Sequence, residues 1–153
     1  MELELWKKIL GMAQKGRRTG LGITAEGDML AALGLRYGTP EATAFAVKVK
    51  KTLALEAYRA SVKMAAERGA FEIFDARKEE KNPMIGRIRE ADPELYAEMV
   101  KHGRRNIAML TIAPTGTTSL MSQTTSGIEP VFRPVYKRRR KINPSDQDAK
   151  VAF

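Results

Sequence analysis

Glycine and hydroxyl side chains crowd one stretch of the chain, APTGTTSLMSQTTSGIEP at Ala113–Pro130, directly after the apolar run IAMLTI at Ile107–Ile112. The order of apolar run, small polar loop and Leu120-Met121 predicts a strand that leads through a loop into a helix. Helix N-termini carry unpaired backbone amides and partial positive charge, so they bind phosphate without a lysine. Gly116 would leave room for an anion, and we expect any positive φ that the loop requires to fall there.

The stretch matches no general nucleotide-binding motif. It lacks both the GK[ST] ending of a Walker A loop and the GxGxxG pattern of a dinucleotide-binding turn. The residues alone therefore leave two interpretations open, an ordinary connection and a phosphate-binding loop.

The length, net charge and cysteine count of the chain restrict the kinds of protein that it can be. Its 153 residues suit one domain, and 27 Lys+Arg against 18 Asp+Glu give a net charge of +9, which favours an anionic partner. The chain has no cysteine, which excludes disulfides, thiolate metal sites and thiol nucleophiles within it. No apolar run approaches the roughly 18–20 residues of a membrane span, so we expect a cytoplasmic protein without membrane contact.

Helices are the elements that the pattern predicts most clearly. Pro40–Arg68 carries a capping Thr39 before its first proline, Gly69 after its end, and apolar residues at helical spacing between them. Its alanines occupy several faces, which predicts close neighbours on more than one side. The other predicted helices are Glu2–Gln14, Thr24–Leu33 ending at Gly34, and a helix opened by Asp92-Pro93 and closed by Gly103.

Extended segments are fewer. Asn106–Ile112 is the one convincing buried strand, Ala70–Phe74 and Val131–Tyr136 are weaker, and Lys15–Gly22 and Asp75–Pro83 are predicted loops. Helices beside few strands indicate an α/β protein whose sheet is unfinished. The apolar ending DAKVAF at Asp148–Phe153 suits either a docked terminal strand or a chain that has been cut.

Three long stretches resemble one enzyme family. RRNIAMLTIAPTGTTSLMSQTTSGIEP at Arg104–Pro130 with the following VFRPVYKRR, and upstream RRTGLGITAEGDMLAALGLRYG and YRASVKMAAERGAFEIFD, are similar to the large catalytic subunit of ribonucleotide reductases. The similarity is greatest to the C-terminal part of the catalytic barrel in the adenosylcobalamin-dependent class. The resemblance implies an α/β fold, a helix-rich fragment with few strands from a ten-stranded barrel, in which residues 1–153 form a single partial domain.

The resemblance also assigns a role to the loop at residues 113–119. It implies that the loop binds the phosphates of a ribonucleotide substrate through backbone amides and hydroxyls, with Ser119 as a sixth participant beside Pro114, Thr115, Gly116, Thr117 and Thr118. Thr118 departs from the family, which usually has Ile or Val there, but this change leaves the backbone donor intact.

The chemistry of the family requires cysteines that this chain lacks. The family forms a thiyl radical on a cysteine of an Asn-x-Cys-x-Glu finger loop and uses a reducing cysteine pair. We therefore expect the isolated chain to be inactive, and expect activity only with a cysteine-bearing part of the reductase, with adenosylcobalamin as cofactor and in an oligomer.

A rival interpretation rests on the basic run RPVYKRRRK at Arg133–Lys141, which could bind nucleic acid in a non-catalytic basic α/β module. Given the resemblance, we favour a solvated basic edge instead.

Single polar residues allow further expectations. His102, the one histidine, is assigned to a helix C-terminus rather than to a general base, and Glu129 to a structural hydrogen bond rather than to loop ordering. The acidic pairs are expected to be solvated charges: Glu26 with Asp28, and Glu79 with Glu80.

Overall fold

A computed structural model of the chain describes residues 2–137. Within that range seven helices follow one another, none of them long and apolar enough to cross a membrane. They are α1 (Glu2–Gly16), α2 (Glu26–Ala32), α3 (Pro40–Arg68), α4 (Ala76–Glu79), α5 (Pro83–Ala91), α6 (Pro93–His102) and α7 (Gly116–Ser122). The helices predicted as Glu2–Gln14 and Thr24–Leu33 are thus present with slightly different ends.

The longest helix has the predicted boundaries. Thr39 Oγ1 accepts a hydrogen bond from the Ala42 amide at 3.3 Å, and Gly69 ends α3 with a φ of 81°. The C-terminal half of α3 is buried at Tyr58 and Val62, whereas its middle turns border an open cleft. The alanine-rich middle of α3 therefore lacks a packed neighbour on one side within the described residues.

The core lies where α3, α5 and α6 meet. Asp92 caps α6 by accepting the Leu95 amide at 2.9 Å, so α6 turns back directly after α5 and both helices pack together. Seven buried side chains form this core: Tyr58, Val62, Ile85, Ile88, Leu95, Met99 and Met109.

A buried ion pair joins this core to the rest of the chain. The Arg104 guanidinium is almost fully buried, is bound by both carboxylate oxygens of Glu79, and donates to the carbonyls of Asn106 at 3.0 Å and Ile107 at 3.2 Å. Three aromatic rings lie within 6 Å of its carbon Cζ, those of Tyr58, Phe71 and Phe74. Burial raises the pKa of Tyr58, while the nearby Arg104 charge opposes that rise.

The strand predicted at Asn106–Ile112 is only partly correct. The segment is extended, but it forms a single isolated parallel bridge, between Leu110 and Leu21. Its partner belongs to Lys15–Gly22, which was predicted to be a plain connection. Because parallel strands are stable when neighbours cover both edges and both faces, one pair alone does not develop into a regular sheet.

The prediction for residues 70–83 was wrong in two places. Ala70–Phe74 is a turn closed by the Phe74 amide on the Phe71 carbonyl at 3.0 Å, and the predicted loop contains the short helix α4. Helix α5 was missed. Asn82 accepts the Met84 amide at 3.0 Å before Pro83, which is the same cap and proline pattern that correctly marked α3 and α6.

The weaker strand at Val131–Tyr136 is also absent. The rings of Phe132 and Tyr136 lie 5.2 Å apart, whereas an extended chain would separate residues four apart by about 13 Å. Asp148–Phe153 lies outside the described residues. The helix-rich character is thus confirmed, and no regular strand occurs within residues 2–137.

Replacing Arg104 by alanine should strongly destabilise the fold. The change leaves the half-buried Glu79 without its cation and removes the donors to the carbonyls of Asn106 and Ile107, and such a loss typically costs about 3–5 kcal/mol. Equilibrium urea unfolding measures the effect. The control Arg77→Ala removes an exposed ion pair with Asp75 and should change stability far less. Equal losses for the two variants would contradict this role for Arg104.

Candidate functional site

The loop of interest begins at the carboxyl end of the parallel pair. The Leu21 amide donates to the Met109 carbonyl at 2.7 Å, and the Thr111 amide donates to the Leu21 carbonyl at 3.0 Å. The chain then leaves the pair, and α7 starts at Gly116. The predicted loop and helix are therefore present, but the strand predicted before them is reduced to a segment with one parallel bridge.

The first turn of α7 is left without a side-chain cap. The amides of Gly116, Thr117 and Thr118 have no hydrogen-bond acceptor among residues 2–137, and the first bonded amide is that of Ser119, which donates to the Thr115 carbonyl at 2.8 Å. Three consecutive donors are thus free at a helix start, where partial positive charge accumulates.

Four other helices of the chain satisfy this position with a side chain, whereas α2, like α7, has no side-chain cap. The side chains of Thr39, Asp75, Asn82 and Asp92 each accept a backbone amide at the start of α3, α4, α5 and α6. The corresponding residue of α7 is Thr115, whose hydroxyl lies 2.9 Å from Thr24 Oγ1 instead of over the amides. A residue type that can cap is present and is directed elsewhere.

The start of α2 holds the loop in this arrangement. Thr24 Oγ1 donates to the Thr125 carbonyl at 2.8 Å, and the Thr125 amide donates to Asp28 Oδ2 at 2.8 Å. The Thr115 amide donates to the Ser126 carbonyl at 2.8 Å, so the residue before α7 is hydrogen-bonded to the segment that follows the helix. Residues about 100 positions apart therefore fix the shape of the loop.

Close backbone contact completes this support. A Cβ atom added to the buried Gly27 would lie 2.5 Å from Pro130 Cα and 2.7 Å from Pro130 N. Only glycine permits the first turn of α2 to approach Pro130 so closely.

The residues that the resemblance assigns to the site differ in their availability. Pro114, Gly116, Thr117 and Thr118 are exposed, and the hydroxyls of both threonines make no hydrogen bond among the described residues, whereas Thr115 is half-buried. Ser119 is 4% exposed, and its hydroxyl donates to the Gly116 carbonyl at 3.0 Å. The free donors therefore lie at residues 116–118 and do not include Ser119.

Gly116 differs from expectation in one respect. Its φ is not positive, and a Cβ added there would have no atom within 4 Å. The expected backbone requirement is therefore wrong, and the space above this residue is open to a ligand.

Three of the four carboxylates that were expected to be solvated have structural partners. Asp28 accepts the Thr125 amide, Glu79 binds Arg104, and Glu26 is 7% exposed with its Oε2 at 3.2 Å from Lys50 Nζ. Their partners are 24 to 97 positions away in the sequence, so local charge spacing gave no signal for these contacts.

The remaining single-residue expectations have mixed outcomes. His102 ends α6 as predicted, with its Nε2 at 3.4 Å from Glu98 Oε2 one turn earlier. Glu129 is exposed and makes no hydrogen bond among the described residues, so its predicted structural bond is wrong. Residues 133–137 of the basic run are exposed, and Arg138–Lys141 lie outside the described residues.

Comparison with known proteins identifies the family. Residues 6–147 match the family described as ribonucleotide reductase, barrel domain. The chain belongs to this family. The reductase barrel domain thus accounts for nearly the whole chain, and the comparisons do not favour the nucleic-acid-binding alternative.

Named relatives agree with this assignment. The chain is 35% identical over 127 residues, 82% of its length, to the vitamin B12-dependent ribonucleoside-diphosphate reductase of Mycobacterium tuberculosis. It is 33% identical over 136 residues, 89% of its length, to the protein of the same name from Thermoplasma acidophilum. It is also 30% identical over 82% of its length to the ribonucleoside-diphosphate reductase subunit alpha of Treponema pallidum. The matches cover 16%, 15% and 15% of those relatives.

Gly27→Ala should disturb the loop without altering any residue of it. The added methyl must displace the backbone at Pro130, and overpacking of this kind typically costs about 1–3 kcal/mol. Hydrogen exchange should become faster at the Thr115 and Thr125 amides. Gly11→Ala is the matched control, since its Cβ would meet nothing within 4 Å. Unchanged exchange in Gly27→Ala would show that α2 does not position the loop.

Proposed function

We propose that this chain supplies the substrate phosphate-binding loop and part of the barrel wall of a vitamin B12-dependent ribonucleotide reductase, which converts ribonucleotides to deoxyribonucleotides by radical chemistry. The observation that carries the proposal is the uncapped start of α7. Its three free amides lie in the loop that the family resemblance assigns to substrate phosphate.

Each residue of the loop then has a distinct role. The amides of Gly116, Thr117 and Thr118 donate to phosphate oxygens, and the free hydroxyls of the two threonines add donors beside them. Thr115 positions the loop, because its hydroxyl is engaged with Thr24. Pro114 has no amide to offer, and it restricts the backbone where the chain enters the loop.

The proposed ten-stranded α/β barrel explains the incomplete sheet. Leu21, Leu110 and Ile112 are 47%, 36% and 66% exposed, although they lie on or beside the one parallel bridge. Further strands of the barrel would cover these side chains and pair with the free edges. Residues 1–153 would then be one partial domain rather than an independent one.

The remaining chemistry is assigned to a complementary, cysteine-bearing part of the reductase. A chain without cysteine cannot form the thiyl radical, so the isolated chain is inactive under this proposal. We assign adenosylcobalamin to that part as well.

Association is a further element of the proposal. Helix α1 exposes an apolar band with side chains between 47% and 69% accessible, namely Leu3, Leu5, Trp6, Ile9, Leu10 and Met12. Covering apolar area of this kind gains roughly 25 cal/mol per Å², which supports an oligomer or a tightly bound complement.

Gly116→Val tests the phosphate site in the complex with the cysteine-bearing part. The substitution meets no protein atom within 4 Å of its Cβ, yet it fills the space that a phosphate needs, so nucleoside diphosphate binding should weaken at least about tenfold. Thr117→Ala should lose about 0.5–1.5 kcal/mol, or up to about 3 if the hydroxyl binds a charged oxygen.

Gly86→Val is the matched control. It also places valine in a helix at a position with nothing within 4 Å, but on α5, and it should leave the dissociation constant unchanged. The proposal fails if Gly116→Val binds as tightly as the control, since the loop would then be only a connection.

A further inference from the structure

Four arginines gather at the opposite end of the parallel pair from the phosphate loop. Arg17 and Arg18 precede Thr19, and Arg105 precedes Asn106, so they lie at the amino ends of the two paired segments. Arg68, the last residue of α3, joins them. Together they line one shallow cleft of about 420 Å³ that is open to solvent, which we call the arginine cleft, and all of them except Arg105 are exposed.

The backbone around the arginine cleft is held in place by buried groups. The Asn106 side chain, in a residue 7% exposed, donates to the Arg17 carbonyl at 2.8 Å and accepts from Ser61 Oγ at 2.9 Å. Arg17 has a φ of 47°, a left-handed conformation that is uncommon for a residue other than glycine. Arg105 Nη1 donates to the carbonyls of Arg68 and Gly69, both at 2.9 Å.

The charges of this cluster are not balanced within the described residues. None of the four arginines forms an ion pair there, whereas Arg59, Arg77 and Arg104 each bind a carboxylate. Arg36 and Arg87 are also without ion pairs within residues 2–137, but they do not line the arginine cleft. Burial, followed by the charges of Arg17 and Arg68, lowers the pKa of Arg105. Like charges that repel one another around a cleft favour a bound anion.

We infer that the arginine cleft binds a phosphate group, either free or carried by a nucleotide. Guanidinium groups present rigid pairs of donors that match phosphate oxygens, and several together neutralise a doubly charged anion. The site is distinct from the loop at α7, because the two lie at opposite ends of the parallel pair and draw on different donors.

Titration of the full chain with inorganic phosphate and with pyrophosphate tests this inference. Both titrations are run at constant ionic strength, and the Nε–H signals of the arginines are followed by NMR. We expect saturable shifts at Arg17, Arg68 and Arg105, and binding at least tenfold weaker in the double variant Arg17→Gln/Arg68→Gln. The control Arg36→Gln/Arg87→Gln removes the same charge from exposed arginines without ion pairs, and it should bind as the parent does.

Titration with a nucleoside diphosphate distinguishes a nucleotide ligand from free phosphate. It also distinguishes the arginine cleft from the loop at α7. Tighter binding of the nucleotide than of pyrophosphate at the arginine signals identifies a nucleotide ligand, and equal binding identifies the phosphate group alone. Gly116→Val should leave the arginine signals unchanged. A negative result at the arginine cleft therefore does not decide whether the loop at α7 binds phosphate. The inference is wrong if no saturable shift occurs, if both double variants weaken binding equally, or if only duplex nucleic acid binds.

Discussion

The burial of one guanidinium group constrains most of this structure. A buried charge is costly unless it is paired and hydrogen-bonded, and Arg104 makes four hydrogen bonds, two to the carboxylate of Glu79 and one each to the carbonyls of Asn106 and Ile107. Those partners lie on α4 and on the extended segment, while the rings around the cation belong to α3 and to the turn after it. The side chain therefore sets the direction in which the chain enters the parallel pair.

The two ends of that pair carry different chemistry. At the carboxyl end, Thr115 turns towards Thr24 and leaves the first amides of α7 free, in a loop held by the start of α2. At the amino end, Asn106 and the end of α3 hold arginines that have no carboxylate partner among the described residues. A neutral donor array and a cationic cluster are thus kept apart by the length of one extended segment.

Local signals were sufficient for part of the fold. Thr39-Pro40 and Asp92-Pro93 marked helix starts correctly because a cap acts on amides two or three residues away. Asn82-Pro83 carried the same signal, and α5 was missed because the charges around it suggested a loop. The strand at Asn106–Ile112 was overstated, since a sheet requires neighbours that lie outside the local pattern.

The site was predictable in outline only. The loop and its helix followed from the order of residues, and the roles within it came from family resemblance. The support from Thr24, Gly27 and Asp28 depends on contacts with residues about 100 positions away, which spacing along one segment does not reveal. The ion pair between Glu79 and Arg104 was not predicted either, because charged side chains are usually exposed and nothing local marks these two as buried.

The central claim is that the free amides of α7 bind substrate phosphate, and amide NMR of the complex with its cysteine-bearing part tests it most directly. Addition of a nucleoside diphosphate should shift the amide signals of Gly116, Thr117 and Thr118 downfield and slow their exchange with solvent. The Ser119 amide, already bonded to Thr115, should respond least within this turn. Saturation of the complex with nucleotide while those three signals stay in place would contradict the account.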